Sequence, residues 1–135
     1  MIPTATALVL SLHATPVQQE APFTLATPCY EAVTAAAPAA EATCRAILAR
    51  LDAATPPPSP IDANDLFLAR LGVQVRLFVL VLRRDRAPTA AVCDQARAVL
   101  AAHDDVIVDA LSAEARATHR ETRAMSARHV RRCGG

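Results

Sequence analysis

The sequence predicts an all-α chain, a small bundle of three to four helices, and three observations carry that prediction. The stretch from Pro60 to Arg84 opens on a helix start signal and from Leu71 to Leu82 is apolar nearly all round. An apolar row recurs at alternating spacings of three and four from Tyr30 to Leu51. Ala, the best intrinsic helix former, supplies most of a 53% hydrophobic content, while Phe, Tyr and Trp together make only 3%. Such a composition builds a thin core, with helices approaching closely through small side chains and few large anchors. The 135 residues suit one domain.

Residues 1–27 read as an extended N-terminal arm, because Pro3, Pro16 and Pro22 discourage a long helix. Leu8, Leu10 and Leu12 alternate with smaller residues and could lie over the helices or over another subunit. The apolar run from Ala5 to Leu12 has no Lys or Arg before it, so the charged start of a secretory signal is missing. That favours an intracellular protein over a secreted one.

Residues 28–113 read as the helical core. Thr27 and Pro28 mark the start of a first helix whose seam is Tyr30, Val33, Ala37, Ala40, Cys44, Ile47 and Leu51. Pro38 lies inside it, which predicts a kink or two abutting helices meeting near Ala37. Glu41 and Arg45 fall off the seam as an i,i+4 ion pair. Pro56, Pro57 and Pro58 form a short stiff connector.

The central helix follows. Ser59, Pro60 and Asp62 read as a capping box, and Arg83, Arg84 and Arg86 sit where a helix dipole prefers cations. From Leu71 to Leu82 only Gln74 and Arg76 are polar, and Phe78 should be among the most buried residues. Val73, Val75, Leu77, Val79 and Val81 also alternate with period two, so a strand is the competing assignment. The longest unbroken apolar run, Leu77 to Leu82, is far short of the roughly 20 residues a membrane span needs.

A third helix is expected from Pro88 to Arg132, a stretch with neither Gly nor Pro after Pro88 itself. Val92, Ala96, Val99, Val106 and Ala110 make its apolar row, with His103 in phase. Its 45 residues would span about 68 Å, against roughly 30 Å for a small domain. Either it breaks near His103 to Asp105, or its distal half lies on another chain. Ala110, Ala113, Ala117, Ala124 and Ala127 keep nearly heptad spacing and would allow that close approach.

Residues 114–135 form a basic C-terminal helix and tail. All 14 basic residues of the chain are Arg, and the formal net charge is only +1, so no whole-surface electrostatic partner is implied. The tail nevertheless gathers Arg116, Arg120, Arg123, Arg128, Arg131 and Arg132. None of them has an Asp or Glu three or four positions away, so intrahelical ion pairs do not account for them. They are the candidate partner-binding residues. An acidic protein surface fits better than nucleic acid or an anionic membrane, because the tail has no aromatic residue to stack on bases and few large apolar groups.

Other constellations are weaker. His103, Asp105 and Asp109 could hold a divalent cation if Asp105 and Asp109 shared a helix face, and His129 with Cys133 has the spacing of two zinc ligands. Cys29, Cys44, Cys93 and Cys133 contain no C-x-x-C pair and allow three disulfide pairings. With three Gly there is no Gly-rich phosphate loop, and no motif calls for a cofactor or a nucleophile. The expected function is a non-catalytic helical interaction subunit, an adaptor or structural component with a protein partner or self-association. The alternatives are a small metal-binding bundle or enzyme on His103, Asp105 and Asp109, a secreted four-cysteine helical ligand, and a nucleic-acid or anionic-surface binder through the C-terminal Arg-rich helix.

Overall fold

The computed structural model describes residues 20–134, and among these there are α-helices, a single 3-10 turn and no strand. In order the elements are α1 (Pro22–Thr34), α2 (Ala40–Ala53), α3 (Pro60–Asp85), α4 (Ala90–Asp105), the 3-10 turn Val108–Ala110 and α5 (Ala113–Arg132). The expected arm at residues 1–27 falls mostly outside the described residues, but its last part is helix. Pro22 takes the first helical position, where its missing N–H costs nothing, and Pro28 sits inside α1 rather than at its start. The hydrogen bond lost at Pro28 falls on the exposed Thr24, whose carbonyl water can reach.

The seam from Tyr30 to Leu51 is carried by two helices that abut, not by one kinked rod. Ala36 takes a left-handed conformation at φ 52°. Its N–H reaches Val33 O at 3.1 Å and the Ala37 N–H reaches Ala32 O at 2.9 Å, the paired bonds of a Schellman ending. Pro38 then restricts Ala37 away from the helical region. Past the break Ala40, Cys44, Ile47 and Leu51 are all buried, so the phase read from sequence survives.

α3 is helical over its whole length, and its two-sided apolar surface has two uses. Leu66, Ala69, Val73 and Leu77 pack with Ala26, Cys29, Cys44, Ile47 and Leu51 of α1 and α2. Leu71 packs with Val99, Ala102 and Val106 of α4 and the segment after it. Phe78 is only half-buried, contrary to the sequence expectation; Leu77 and Val73 are the sealed residues at 0% exposure. Ser59 occupies the N-cap position but makes no capping hydrogen bond, so the capping box does not form. Gln74 is satisfied across the α3–α4 interface by Gln95, whose Nε2 donates to its side chain at 2.7 Å and its backbone carbonyl at 3.1 Å.

Two Arg contacts tie α3 to α2. Arg70 turns back onto the end of α2 and donates to Leu51 O at 2.8 and 3.0 Å and to Ala54 O at 3.1 Å, so its guanidinium caps the last carbonyls of the helix. At the surface Arg84 reaches Glu41 at 3.0 Å, and Glu41 also holds the expected pair with Arg45 at 2.9 Å.

The single long helix from Pro88 to Arg132 does not exist. α4 begins on Thr89, which accepts from the Val92 N–H at 3.3 Å, and ends at Asp105. Val106 and Ile107 are extended. Asn64 of α3 clamps this break, donating to Ile107 O and accepting from Ile107 N–H, both at 2.8 Å. Ser112 then caps α5 by accepting from the Ala115 N–H at 3.1 Å. Because α5 folds back on α4, the length argument for self-association falls away. Ala113, Ala117 and Ala124 of the small-residue row face solvent.

Two disulfides staple the chain. Cys29–Cys44 joins α1 to α2 with a Cα separation of 4.6 Å, and Cys93–Cys133 joins the start of α4 to the end of α5 at 5.8 Å. Among the described residues, no helix is long and apolar enough to cross a membrane.

Candidate functional site

α5 is polar on nearly every side, and His119 is its one buried residue. What holds it in place is the disulfide at its end, the contact of half-buried His129 with the Phe78 ring at 5.1 Å, and an ion pair from Arg123 to Asp104 of α4 at 2.6 Å. That ion pair runs between helices, where the sequence showed only that no partner lies within the tail helix itself. Its partner lies 19 residues back and comes into reach only because the helix reverses. Arg116 donates to the carbonyl of Leu111 at 3.2 Å.

All six candidate Arg residues are exposed. Arg120, Arg128, Arg131 and Arg132 have no ion-pair partner among the described residues. Met125, at 51% exposure, stands three and seven residues before Arg128 and Arg132, so the three share the outward side of α5. Arg116, Arg120 and Arg123 flank a second feature.

That feature is a cleft of about 260 Å³ between the end of α4, the 3-10 turn and the first turns of α5. Its polar lining is His103, Asp104, Arg116, His119, Arg120 and Arg123. His103 is 2% exposed, and neither ring nitrogen has a hydrogen-bond partner among the described residues. Its ring meets the His119 ring edge-on at 5.0 Å. Burial pushes the His103 pKa down to about 4, with the His119 and Arg123 charges adding to the effect and Asp104 opposing it.

The metal constellations do not assemble. His103 turns inward toward α5, whereas Asp105 at the last turn of α4 and Asp109 in the 3-10 turn are exposed, because the helix they were to share ends between them. Among the described residues no group of three or more His, Cys, Asp or Glu is placed to hold a metal ion. The His129 and Cys133 pair is broken differently, since Cys133 is committed to Cys93.

A larger groove of about 980 Å³ runs between the start of α1, the end of α2 and the start of α3, lined by Leu25, Leu51, Leu66, Pro57, Arg50 and Asp62 among others. It brings together no reactive group.

Comparison settles no kinship. The chain matches no protein-family model, no curated protein and no solved structure.

Sequence reasoning missed His119, Asp104 as the Arg123 partner, and Ser112 as a cap. Only Ser112 had a local signal: a Ser followed two residues later by Glu114 is a common helix start.

Proposed function

We propose that this protein is a non-catalytic helical interaction protein that presents the outer side of α5 to an acidic protein partner in an oxidising compartment. The observation that carries the reading is the cost of keeping α5 where it is. A helix with one buried residue contributes little to the core, yet a disulfide and an inter-helix ion pair pin it down. Pinning makes sense for the outward side. It holds Met125, Arg128, Arg131 and Arg132 in a fixed array, and pre-organised side chains lose less entropy on binding. Arg and Met are enriched at protein interfaces, and Arg offers two-pronged hydrogen bonds to carboxylates.

The compartment follows from the cysteines. All four are paired, and such pairs persist where thiols are not kept reduced. This supports the secreted setting over the intracellular one first expected from the missing charged leader. It joins the interaction reading to the four-cysteine ligand reading rather than choosing between them.

The test is retrieval by cross-linking from the native source with the wild-type protein and with Arg128→Glu/Arg131→Glu/Arg132→Glu. A discrete acidic partner, lost on charge reversal and weakened by added salt, is the expected result. Identical retrieval by both proteins would sink the proposal.

A further inference from the structure

The α4–α5 cleft holds two features that folding alone leaves unexplained. The first is His103. A neutral imidazole carries one N–H donor and one acceptor, and buried polar groups are almost always paired. Both ring nitrogens of His103 are buried and unpaired among the described residues, and the ring lines the cleft. The second is charge. Arg116, Arg120 and Arg123 surround the opening against the single carboxylate of Asp104, a formal excess of two positive charges before the imidazoles are counted.

The hydrogen-bonding capacity of those guanidiniums is mostly unspent. Arg116 uses its Nε on Leu111 O and Arg123 its Nε on Asp104. The Arg120 guanidinium makes no hydrogen bond among the described residues, and each guanidinium has five N–H donors in a planar fork. Donors and positive charge converging on an unpaired buried imidazole suit an oxyanion and repel a metal cation. Size narrows the choice. At about 260 Å³ the cleft is below the roughly 300–1,000 Å³ that takes a drug-sized ligand, so it fits one ionic group rather than a whole cofactor.

We propose that this cleft binds a tetrahedral oxyanion, phosphate or sulfate, either free or as the end group of a small monoester. Arg116 and Arg120 clamp the oxygens from the rim, and His103 and His119 offer imidazole N–H groups from the floor. Asp104 competes for Arg123, so the ion pair between them opposes binding. The site is independent of the outward side of α5, and it stands or falls apart from any protein partner.

The experiment is histidine NMR on the full chain in phosphate-free buffer, with inorganic phosphate added and ionic strength held constant with chloride. Saturable shifts of the His103 and His119 ring resonances are expected, with sulfate giving the same pattern. Arg120→Gln and Arg116→Gln should each weaken the apparent affinity at least about tenfold. Asp104→Asn should tighten it several-fold by releasing Arg123. Arg83→Gln, which removes an exposed charge on α3, should leave it within about twofold. A parallel titration with methyl phosphate identifies the natural form: tighter binding than inorganic phosphate assigns an end group, and weaker binding assigns the free ion. Shifts that never saturate, that chloride reproduces, or that Arg83→Gln reduces as much as Arg120→Gln would overturn the proposal. Circular dichroism of each variant confirms that the exposed substitutions leave the helices intact.

Discussion

Asn64 and Ile107 exchange two hydrogen bonds of 2.8 Å across 43 residues of sequence, and this pair decides where α4 ends. The Asn64 side chain is 3% exposed, so its amide substitutes for the helical partners that Ile107 gives up. Asn64→Ala should therefore cost about 2–3 kcal/mol in urea unfolding, since two backbone groups lose their partner in a poorly solvated site. Asn64→Asp keeps the acceptor for the Ile107 N–H but loses the donor to its carbonyl and buries a charge. It should be the worse variant at neutral pH and recover partly in acid, where the carboxyl is protonated. Equal stability of Asn64→Ala and wild type would mean that Val106 and Ile107 break the helix unaided.

The Cys93–Cys133 bridge closes a loop of 40 residues that contains all of α5. Chain entropy assigns such a closure about 4 kcal/mol, against about 3 kcal/mol for the 15-residue separation of Cys29 and Cys44. The larger effect should also be the more local one. In Cys93→Ser/Cys133→Ser, hydrogen exchange should accelerate throughout α5 while α1 to α3 stay protected, because α5 buries only His119 against the rest. Uniform loss of protection would show that α5 is integral to the core.

Ala36 adopts a left-handed backbone at φ 52° with a Cβ that disfavours it. Ala36→Gly should therefore raise stability by about 1 kcal/mol, the relieved strain exceeding the extra chain entropy of Gly. Ala46→Gly, at an exposed position within α2, should instead lower it by about 0.5–1 kcal/mol. Opposite signs for the same substitution ten residues apart would be read directly from thermal midpoints.

The parts of the fold that were legible in sequence are those set by local periodicity. Ala40, Cys44, Ile47 and Leu51 announce their burial by spacing alone, and the approximate limits of α3 follow from Pro60 at one end and Arg86 with Pro88 at the other. Within α3 the apolar surface runs all round, so spacing could not say that Leu77 is sealed while Phe78 meets His129 at the edge. The break after Asp105 was placed near His103 to Asp105, but only as one of two alternatives. No Gly or Pro marks it, and its hydrogen bonds come from Asn64, far away in the chain. The same holds for the site. An Arg cluster in the tail is visible in composition, but its relation to His103 and Asp104 depends on α5 reversing direction, and the cysteine pairing that secures the reversal was one of three possibilities.

The buried His103 makes stability depend on pH in a direction that can be worked out. Its folded pKa lies near 4, below the usual 6.5, because burial disfavours the imidazolium and the His119 and Arg123 charges add to that, with Asp104 alone opposing. Between those values the unfolded chain binds more protons than the folded one, so stability falls as pH drops through 6.5 and levels off near 4. At about 1.4 kcal/mol per unit the full loss is on the order of 3 kcal/mol. Carboxylates titrate in the lower part of the same window, so the measurement is the difference between wild type and His103→Phe, which removes the titrating ring nitrogens but fills the space. The wild type should lose stability more steeply than the variant between pH 6.5 and 4, and the two curves should run parallel above pH 7. Parallel curves throughout would mean that His103 reaches solvent when it takes up its proton.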